Sequence, residues 1–258
     1  MVLNSKSFLM NRNEFEIEVC ANSVESCVEA QLGGADRVEL CAGIPEGGTT
    51  PSYGEIKMAR RLLKATRLHV IIRNRGGDFL YSPLELERMA MDIDLCRELG
   101  VDGVVFGCLT PDGLIDREAN AMLMQHVGRM RATFHRAFDR CRQPLEALEE
   151  IAALGFDRIL TSGQQPTADQ GVALLRQLNE RAGQRLKIMA GCGVNERNIA
   201  MIRRETGVSN FHFSAREPQP SLMKYFNPSV YMGTKGAEEA NVMLTTRQRV
   251  KNTINQLL

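Results

Sequence analysis

Short runs of β-branched and other apolar residues alternate along this chain with longer stretches whose apolar residues recur at helical spacing. In 23–34, for example, the apolar residues share one face of a helix. The stretch 82–100 begins with a serine cap and a proline in the first helical turn, and it ends at Gly100. From residue 15 onward this alternation predicts eight strands, at 16–20, 36–41, 67–73, 102–107, 131–135, 157–161, 187–191 and 209–214.

A weak internal repeat supports regular strand–helix units. The segments 34–40, 100–106, 155–161 and 207–213 each read glycine, apolar residue, polar residue and then a strand. Such a glycine suits the left-handed position that ends a helix. Eight strands alternating with helices predict a parallel sheet, and eight is the number that closes into a barrel. A doubly wound open sheet is the rival, but no G-x-G-x-x-G follows the first strand. We therefore predict an α/β protein with a single (β/α)8 TIM barrel.

The pattern also predicts how the chain is divided. Residues 1–14 are polar and precede the first strand, so we expect a flexible N-terminal arm. Residues 15–258 form the single barrel domain in this interpretation. The stretch 216–241 is long and interrupted by proline and glycine, which predicts a loop after the last strand. Its position predicts that it lies over the barrel mouth and contributes to function.

Composition narrows the class of protein. A length of 258 residues suits one barrel domain. The formal net charge of +1, with no basic face, gives no support to a nucleic-acid or membrane-surface role. No apolar run approaches the ~18 residues of a membrane span. The seven cysteines are odd in number and scattered, which is typical of free thiols in a reducing cytoplasm. We expect a cytoplasmic protein with neither nucleic acid nor membrane as partner.

Two neighbouring strands carry the same Glu-x-Cys pattern. Glu18 and Cys20 lie on the first strand, and Glu39 and Cys41 lie on the second. Side chains of a barrel strand alternate between the interior and the surrounding helices. Because the intervening residues are apolar and suit the helix layer, these four side chains are predicted to face one sector of the interior. Barrel active sites lie at the C-terminal ends of the strands, where these residues fall.

Other strand ends and the loops after them add polar residues and glycines to the same face. These are Arg73, Arg75, His135, Asp139, Ser162, Gly191, Gly193, His212 and Ser214. Two buried carboxylates need partners, and Arg73 is the predicted partner of Glu18 or Glu39, with a histidine as the second choice. Glycine-rich loops can bind phosphate through backbone N–H groups, so the pattern also favours a small anionic ligand at this mouth.

Eight short motifs then make the chain recognisable. It resembles the CutC family, cytoplasmic (β/α)8 proteins linked to copper homeostasis, through EVC, GGADRVELC, EGGTTPS, RGGDFLYS, TFHRAFD, LTSG, AGCGV and FHFSA. The resemblance implies that Cys20 and Cys41 are Cu(I) ligands and that the protein is a homo-oligomer, a dimer. Two positions depart from the family: Asn74 stands where proline is usual, and Cys192 where glycine or alanine is usual.

Two hypotheses about function stay open at this point. In the first, the barrel binds a copper ion through Cys20 and Cys41, because soft thiolates on adjacent strands suit Cu(I); the same residues can instead be small buried core residues. In the second, the protein is an enzyme that acts on a small anionic or phosphorylated metabolite. Its hypothetical catalytic residues are Glu18, Glu39, Arg73 and His135, which are suited to general acid–base work or to holding a metal.

Overall fold

Eight parallel strands close into a barrel in the computed structural model, which describes residues 11–227, 229–230 and 240–258. The barrel strands are β1 Glu16–Ala21, β2 Arg37–Leu40, β3 Arg67–Ile71, β4 Gly103–Phe106, β5 Arg131–Phe134, β6 Arg158–Thr161, β7 Lys187–Gly191 and β8 Asn210–Phe213. They follow chain order, and β1 closes the barrel by pairing with β8. The predicted (β/α)8 barrel is confirmed, and the strand ends differ from the predicted ones by at most two residues.

Eight helices surround the barrel: α1 Val24–Leu32, α2 Tyr53–Leu62, α3 Pro83–Glu98, α4 Arg117–Val127, α5 Pro144–Ala153, α6 Val172–Ala182, α7 Ile199–Thr206 and α8 Arg247–Asn255. The predicted serine cap of α3 is confirmed, since Ser82 Oγ accepts a hydrogen bond from the backbone N–H of Glu85. The four glycines of the internal repeat are left-handed, with φ between 69° and 91° at Gly34, Gly100, Gly155 and Gly207.

The strands separate an apolar layer from a polar interior. Ile17 and Val19 of β1 and Val38 of β2 belong to the core between strands and helices and are fully buried. Glu18, which lies between Ile17 and Val19 on β1, is also buried, and so is Glu39, which follows Val38 on β2. Their side chains belong to the barrel interior, which is the alternation that the sequence predicts.

The segment after β8 differs from the predicted loop at both ends. β9, Arg216–Pro220, pairs antiparallel with β10, Asn241–Thr245. The prediction of a loop throughout 216–241 was wrong there, because a two-stranded edge ribbon tolerates prolines that a central strand excludes. Arg216 lies at the barrel mouth, as expected for the start of this segment. Residues 228 and 231–239 lie outside the described residues.

The N-terminal stretch is described only from residue 11. Arg12–Glu14 form a short 3-10 helix, and the Arg12 guanidinium lies 2.7 Å from the Asp36 carboxylate. Residues 1–10, where most of the predicted flexible arm falls, lie outside the described residues. Within the described part of the chain, none of the helices combines the length and the apolar character that crossing a membrane requires.

Candidate functional site at the C-terminal mouth

Strand register brings four side chains together at the C-terminal end of the barrel. Glu18 lies opposite His212 across β1 and β8, and Cys20 lies opposite Glu39 across β1 and β2. The Cys20 and Cys41 Sγ atoms are 3.8 Å apart, and both belong to one cavity. The two Glu-x-Cys segments therefore share one sector of the interior, as the alternation predicts.

Glu18 is the deepest of these groups and is fully buried. Arg37, equally buried, donates from Nε to one carboxylate oxygen, and His212 Nδ1 lies 2.7 Å from the other. Burial by itself raises the pKa of Glu18. The charge of Arg37 and the hydrogen bond with His212 outweigh it and hold that pKa well below its usual range. Glu18 is therefore a carboxylate with a partner on each oxygen.

The expected pairing of Arg73 with Glu18 or Glu39 is wrong. The Arg73 guanidinium donates instead to the backbone carbonyls of Glu46, Gly48 and Gly77, at 2.7, 2.9 and 3.0 Å. Arg73 follows β3 at the mouth and holds the surrounding loops through these hydrogen bonds. Glu18 lies deeper in the barrel interior.

The arginine that pairs with Glu18 is Arg37, which the sequence analysis did not select. Arg37 stands directly opposite Glu18 in the register of β1 and β2. The signal was present, because Arg37 precedes Glu39 by two residues and alternation points both side chains inward. The second choice, a histidine, is correct, and it is His212.

His212 links the buried carboxylate to the thiols. Burial alone lowers the pKa of His212, but hydrogen bonds with Cys20 and Glu18 raise it well above its usual value. The hydrogen bond with Cys41 lowers the pKa of the Cys20 thiol and raises that of Cys41. Cys20 is thus the more acidic thiol of the pair, and the His212 imidazole lies beside it.

Glu39 is held differently from Glu18. Burial raises its pKa to about 8, and the nearby negative charges of Cys20 and Glu18 add to that rise against the opposing charge of His212. Its Oε2 is 3.7 Å from His212 Nε2, and the Cys41 thiol donates to it at 3.5 Å. One carboxyl of the two is thus kept ionised and the other is disposed to hold a proton.

A cavity of about 360 Å³ opens above this cluster. Of the residues predicted from the sequence, its walls contain Cys20, Glu39, Cys41, Arg73, His135 and His212. His135 faces the ring of Phe79, with centroids 5.0 Å apart, and its Nδ1 accepts from the backbone N–H of Ala137. Burial, with the charge of Arg73, lowers the pKa of His135 to about 3, so the ring is neutral.

Among the polar and charged wall residues, three were not among the predicted site residues: Arg136, Cys192 and Arg216. Cys192 adopts φ 73°, the left-handed region that non-glycine residues rarely enter. This conformation explains why a glycine suits that position. Arg216 begins β9 and brings a positive charge to the cavity rim.

Glu18 is not among the described residues that line this cavity, and neither are six other predicted residues. Four have structural contacts: Arg75 pairs with Glu85 at 2.5 Å, Asp139 accepts from Ser162 at 3.1 Å, and the Ser214 carbonyl accepts from Thr245. The remaining two are Gly191 and Gly193 of the turn after β7. A side chain at Gly191 would lie 2.4 Å from Leu160 Cδ1, so close packing accounts for that glycine.

Three of the side chains are placed to hold a metal ion. The ligand atoms of Cys20, Glu39 and His212 all lie within 4.8 Å of one another. The Cys41 Sγ is 3.8 Å from that of Cys20 and adds a fourth donor. Thiolate and imidazole are ligands of copper and zinc sites. The arrangement is chemically suited to a metal ion or to chemistry at the Cys20 sulfur.

Fold and site together define a class: (β/α)8 barrels with paired thiols, a carboxylate and an imidazole at the C-terminal mouth. The model of the CutC family matches residues 15–217, and the chain belongs to that family. The resemblance that the motifs indicate is thereby confirmed.

Relatives and a solved structure agree with this assignment. A family protein CutC of Bacteroides thetaiotaomicron is 61% identical over 245 residues, covering 95% of this chain and 98% of the relative. The copper homeostasis protein cutC homolog of Homo sapiens is 45% identical over 246 residues, covering 95% and 89%. The crystal structure of CutC from Streptococcus agalactiae has a TM-score of 0.75 and 37% identity, covering 78% of this chain and 98% of that one. The chain is thus a homologue of copper homeostasis proteins.

Proposed function

We propose that this protein binds one Cu(I) ion between Cys20 and Cys41 and contributes to copper homeostasis. The observation that carries the proposal is the pair of Sγ atoms 3.8 Å apart at the wall of a cavity. Thiolates are the soft ligands that Cu(I) prefers. The family link to copper homeostasis, printed for the human relative, supports the same metal.

The sulfur separation also bears on the coordination geometry. With metal–sulfur bonds of about 2.3 Å, two sulfurs on opposite sides of a metal are ~4.6 Å apart, and two sulfurs of a trigonal site are ~4.0 Å apart. The observed 3.8 Å is shorter than the separation of a linear site, so it favours a bent arrangement with further ligands. His212 and Glu39 lie within reach of Cys20. We therefore infer that the imidazole of His212 would join the two sulfurs in holding the ion.

Anaerobic titration with Cu(I) against a chromophoric chelator tests this proposal. The wild-type protein is expected to take one equivalent, and Cys20→Ser or Cys41→Ser is expected to abolish stoichiometric binding. His212→Gln should weaken binding by about 10- to 100-fold, the effect typical of a lost supporting group at a metal site. Cys96→Ser is the matched control, because Cys96 is a buried thiol on α3. Unchanged affinity in the Cys20 and Cys41 variants would refute the thiolate pair.

Location and assembly belong to the same proposal. All seven cysteines are free thiols, which suits a reducing cytoplasm, and a thiolate copper site needs that environment. We infer a cytoplasmic location on this ground. The dimer implied by the family resemblance stays a prediction.

The alignment of three side chains favours a second candidate function, an enzyme acting on a small anionic metabolite. Cys20, His212 and Glu18 follow one another as nucleophile, base and orienting carboxylate. Arg216 at the rim supplies positive charge for an anion. The set expected from the sequence, Glu18, Glu39, Arg73 and His135, stays a prediction beside this one.

Alkylation by iodoacetamide, mapped by peptide mass spectrometry, tests the nucleophile. Cys20 is expected to react faster than Cys192, a second cysteine in the walls of the same cavity. His212→Gln should slow the reaction of Cys20 and leave Cys192 unaffected. Equal rates for the two cysteines, unaltered by that substitution, would end the enzyme candidate.

A further inference from the structure

The opposite, N-terminal end of the barrel contains a larger cavity, of about 770 Å³. This volume lies within the ~300–1,000 Å³ of small-molecule sites. The first residues of six strands line it: Glu16, Arg67, Arg131, Arg158, Lys187 and Asn210. Among the described residues, no wall residue is shared between this cavity and the one beside Cys20. The proposed copper site therefore leaves the N-terminal cavity unexplained.

The cavity has an excess of positive charge. Five basic side chains and three carboxylates line it, which leaves an excess of two positive charges. Arg67 lies 2.8 Å from Glu16, and Arg131 lies 2.6 Å from Asp157, so these two carboxylates already have arginine partners. Lys187 donates to an uncharged amide, that of Gln184, at 3.4 Å. Arg185, the fifth basic residue, pairs with Glu149 outside the cavity at 2.6 Å, so Lys187 and Arg158 are the two cations left without a close carboxylate partner among the described residues.

Arg158 is the central feature of this end of the barrel. It is only 7% exposed, and within the described part of the chain its buried Nε and Nη1 have no hydrogen-bond partner. The nearest carboxylate oxygen, on Glu16, is 4.0 Å from Nη2 and already interacts with Arg67 and Arg37. Burial and the charge of Arg37 lower the pKa of Arg158 to about 10. A buried guanidinium with free donors is costly unless something bonds to it.

Glu14, the third carboxylate of the wall, accepts hydrogen bonds from Asn11, and no ion pair between it and Arg158 is seen among the described residues. Residues 1–10, which precede the wall residue Asn13, contain no aspartate or glutamate. The buried Asn210 adds an amide oxygen without a partner in the described structure. An arginine fork matches the oxygens of a phosphate group with two parallel hydrogen bonds. Arg158 and Lys187 supply the positive charge that a phosphate group requires, and the cavity volume exceeds that of the phosphate group alone.

We propose that the N-terminal mouth is a second ligand site, which binds a small phosphate-bearing anion through Arg158 and Lys187. The phosphate group binds the part of the Arg158 side chain that lines the cavity, and the remainder of the ligand lies beside Asn210. Binding at this mouth is independent of the thiols at the other end.

Inorganic pyrophosphate is the probe for this site. Isothermal titration of the wild-type protein, with potassium chloride matching the ionic strength, is expected to give saturable binding at one site. Thermal unfolding is expected to shift upward with pyrophosphate and not with the chloride control. Arg158→Met is expected to weaken binding at least tenfold. Arg117→Met, which removes an exposed cation that lines neither cavity, is the matched control and should retain binding.

The substitution Arg158→Met removes a charge without hydrogen-bonded partners at two of its nitrogens, so the variant should fold. Should it fail to fold, Arg158→Lys keeps the charge and loses the fork, and it is still expected to bind more weakly. Crystals of the wild-type protein in pyrophosphate give an independent readout at Arg158. Undiminished binding in Arg158→Met, an equal loss of binding in Arg117→Met, or a thermal shift reproduced by chloride would each overturn the proposal.

Discussion

Replacing Arg37 by leucine should leave the charge of Glu18 inside the barrel without its arginine partner. Both side chains of this pair are 0% exposed. Removing one partner of a buried pair costs about 3–5 kcal/mol, because the remaining charge loses its compensation. Glu18 keeps the hydrogen bond with His212 at 2.7 Å, which places the expected loss near the lower end, at about 3 kcal/mol.

Urea denaturation at about pH 7.5 measures this loss. With an m-value of about 3 kcal/mol/M for a chain of this size, the midpoint should fall by about 1 M. The matched control is Arg67→Leu, which removes an arginine from Glu16 in a pair that is 44% and 34% exposed. Exposed pairs contribute about 0–1 kcal/mol, so this variant should change the midpoint little.

The pH dependence gives the Arg37 prediction a second readout. In the wild type the pKa of Glu18 is lowered, so its contribution to stability is present above the unfolded value of 4.5 and is lost as the pH falls through the folded pKa. Without Arg37, burial raises the pKa of Glu18. The variant therefore loses most stability at pH values at which this carboxyl is ionised in the unfolded chain. The difference between the two proteins should therefore shrink between about pH 7.5 and pH 5. An Arg37→Leu midpoint within about 0.2 M of that of Arg67→Leu, or a gap that widens toward acid pH, would refute this reasoning.

Two further predictions concern the same mouth. Cys192→Gly should raise the free energy of unfolding by about 1 kcal/mol, because φ 73° is strained for cysteine and open to glycine; a destabilised variant in urea denaturation would show that the thiol's hydrogen bond to Pro166 outweighs the strain. Burial raises the pKa of Glu39 from 4.5 to about 8, so the folded state binds more protons between those values and stability falls as the pH rises. Glu39→Gln should remove this fall, which amounts to at most about 1.4 kcal/mol per pH unit, and identical pH profiles of the two proteins would contradict the shift.

Local periodicity was sufficient for much of the architecture. Short β-branched and apolar runs identified all eight barrel strands, and period-two alternation along the first two placed Glu18, Cys20, Glu39 and Cys41 on the inner side. These features depend on residues close together in the sequence, so they are readable without tertiary contacts. The repeat glycines are of the same kind, since each ends a helix locally.

The partners of those side chains were decided by barrel closure. Arg73 and Arg37 are equally plausible partners for Glu18 from sequence, and only the register of β1 and β2 selects Arg37. His135 and His212 both follow the predicted pattern, but β8 pairs with β1 and so only His212 contacts Glu18. Register is a relation between distant segments, and a shift by one residue would turn every side chain to the other face.

The N-terminal cavity shows most clearly which features follow from local sequence and which follow from barrel closure. Four of the five basic residues there begin a strand, and in the sequence each of the four is an ordinary charged residue at a strand end. Closure of the barrel places these strand starts around one opening, where Arg158 is buried beside Arg37. The sequence by itself determined the strands, the inward alternation and the thiol pair. The tertiary structure decided which charges neutralise one another and which are left without a partner, because Coulomb energy depends on distances that only the closed barrel defines.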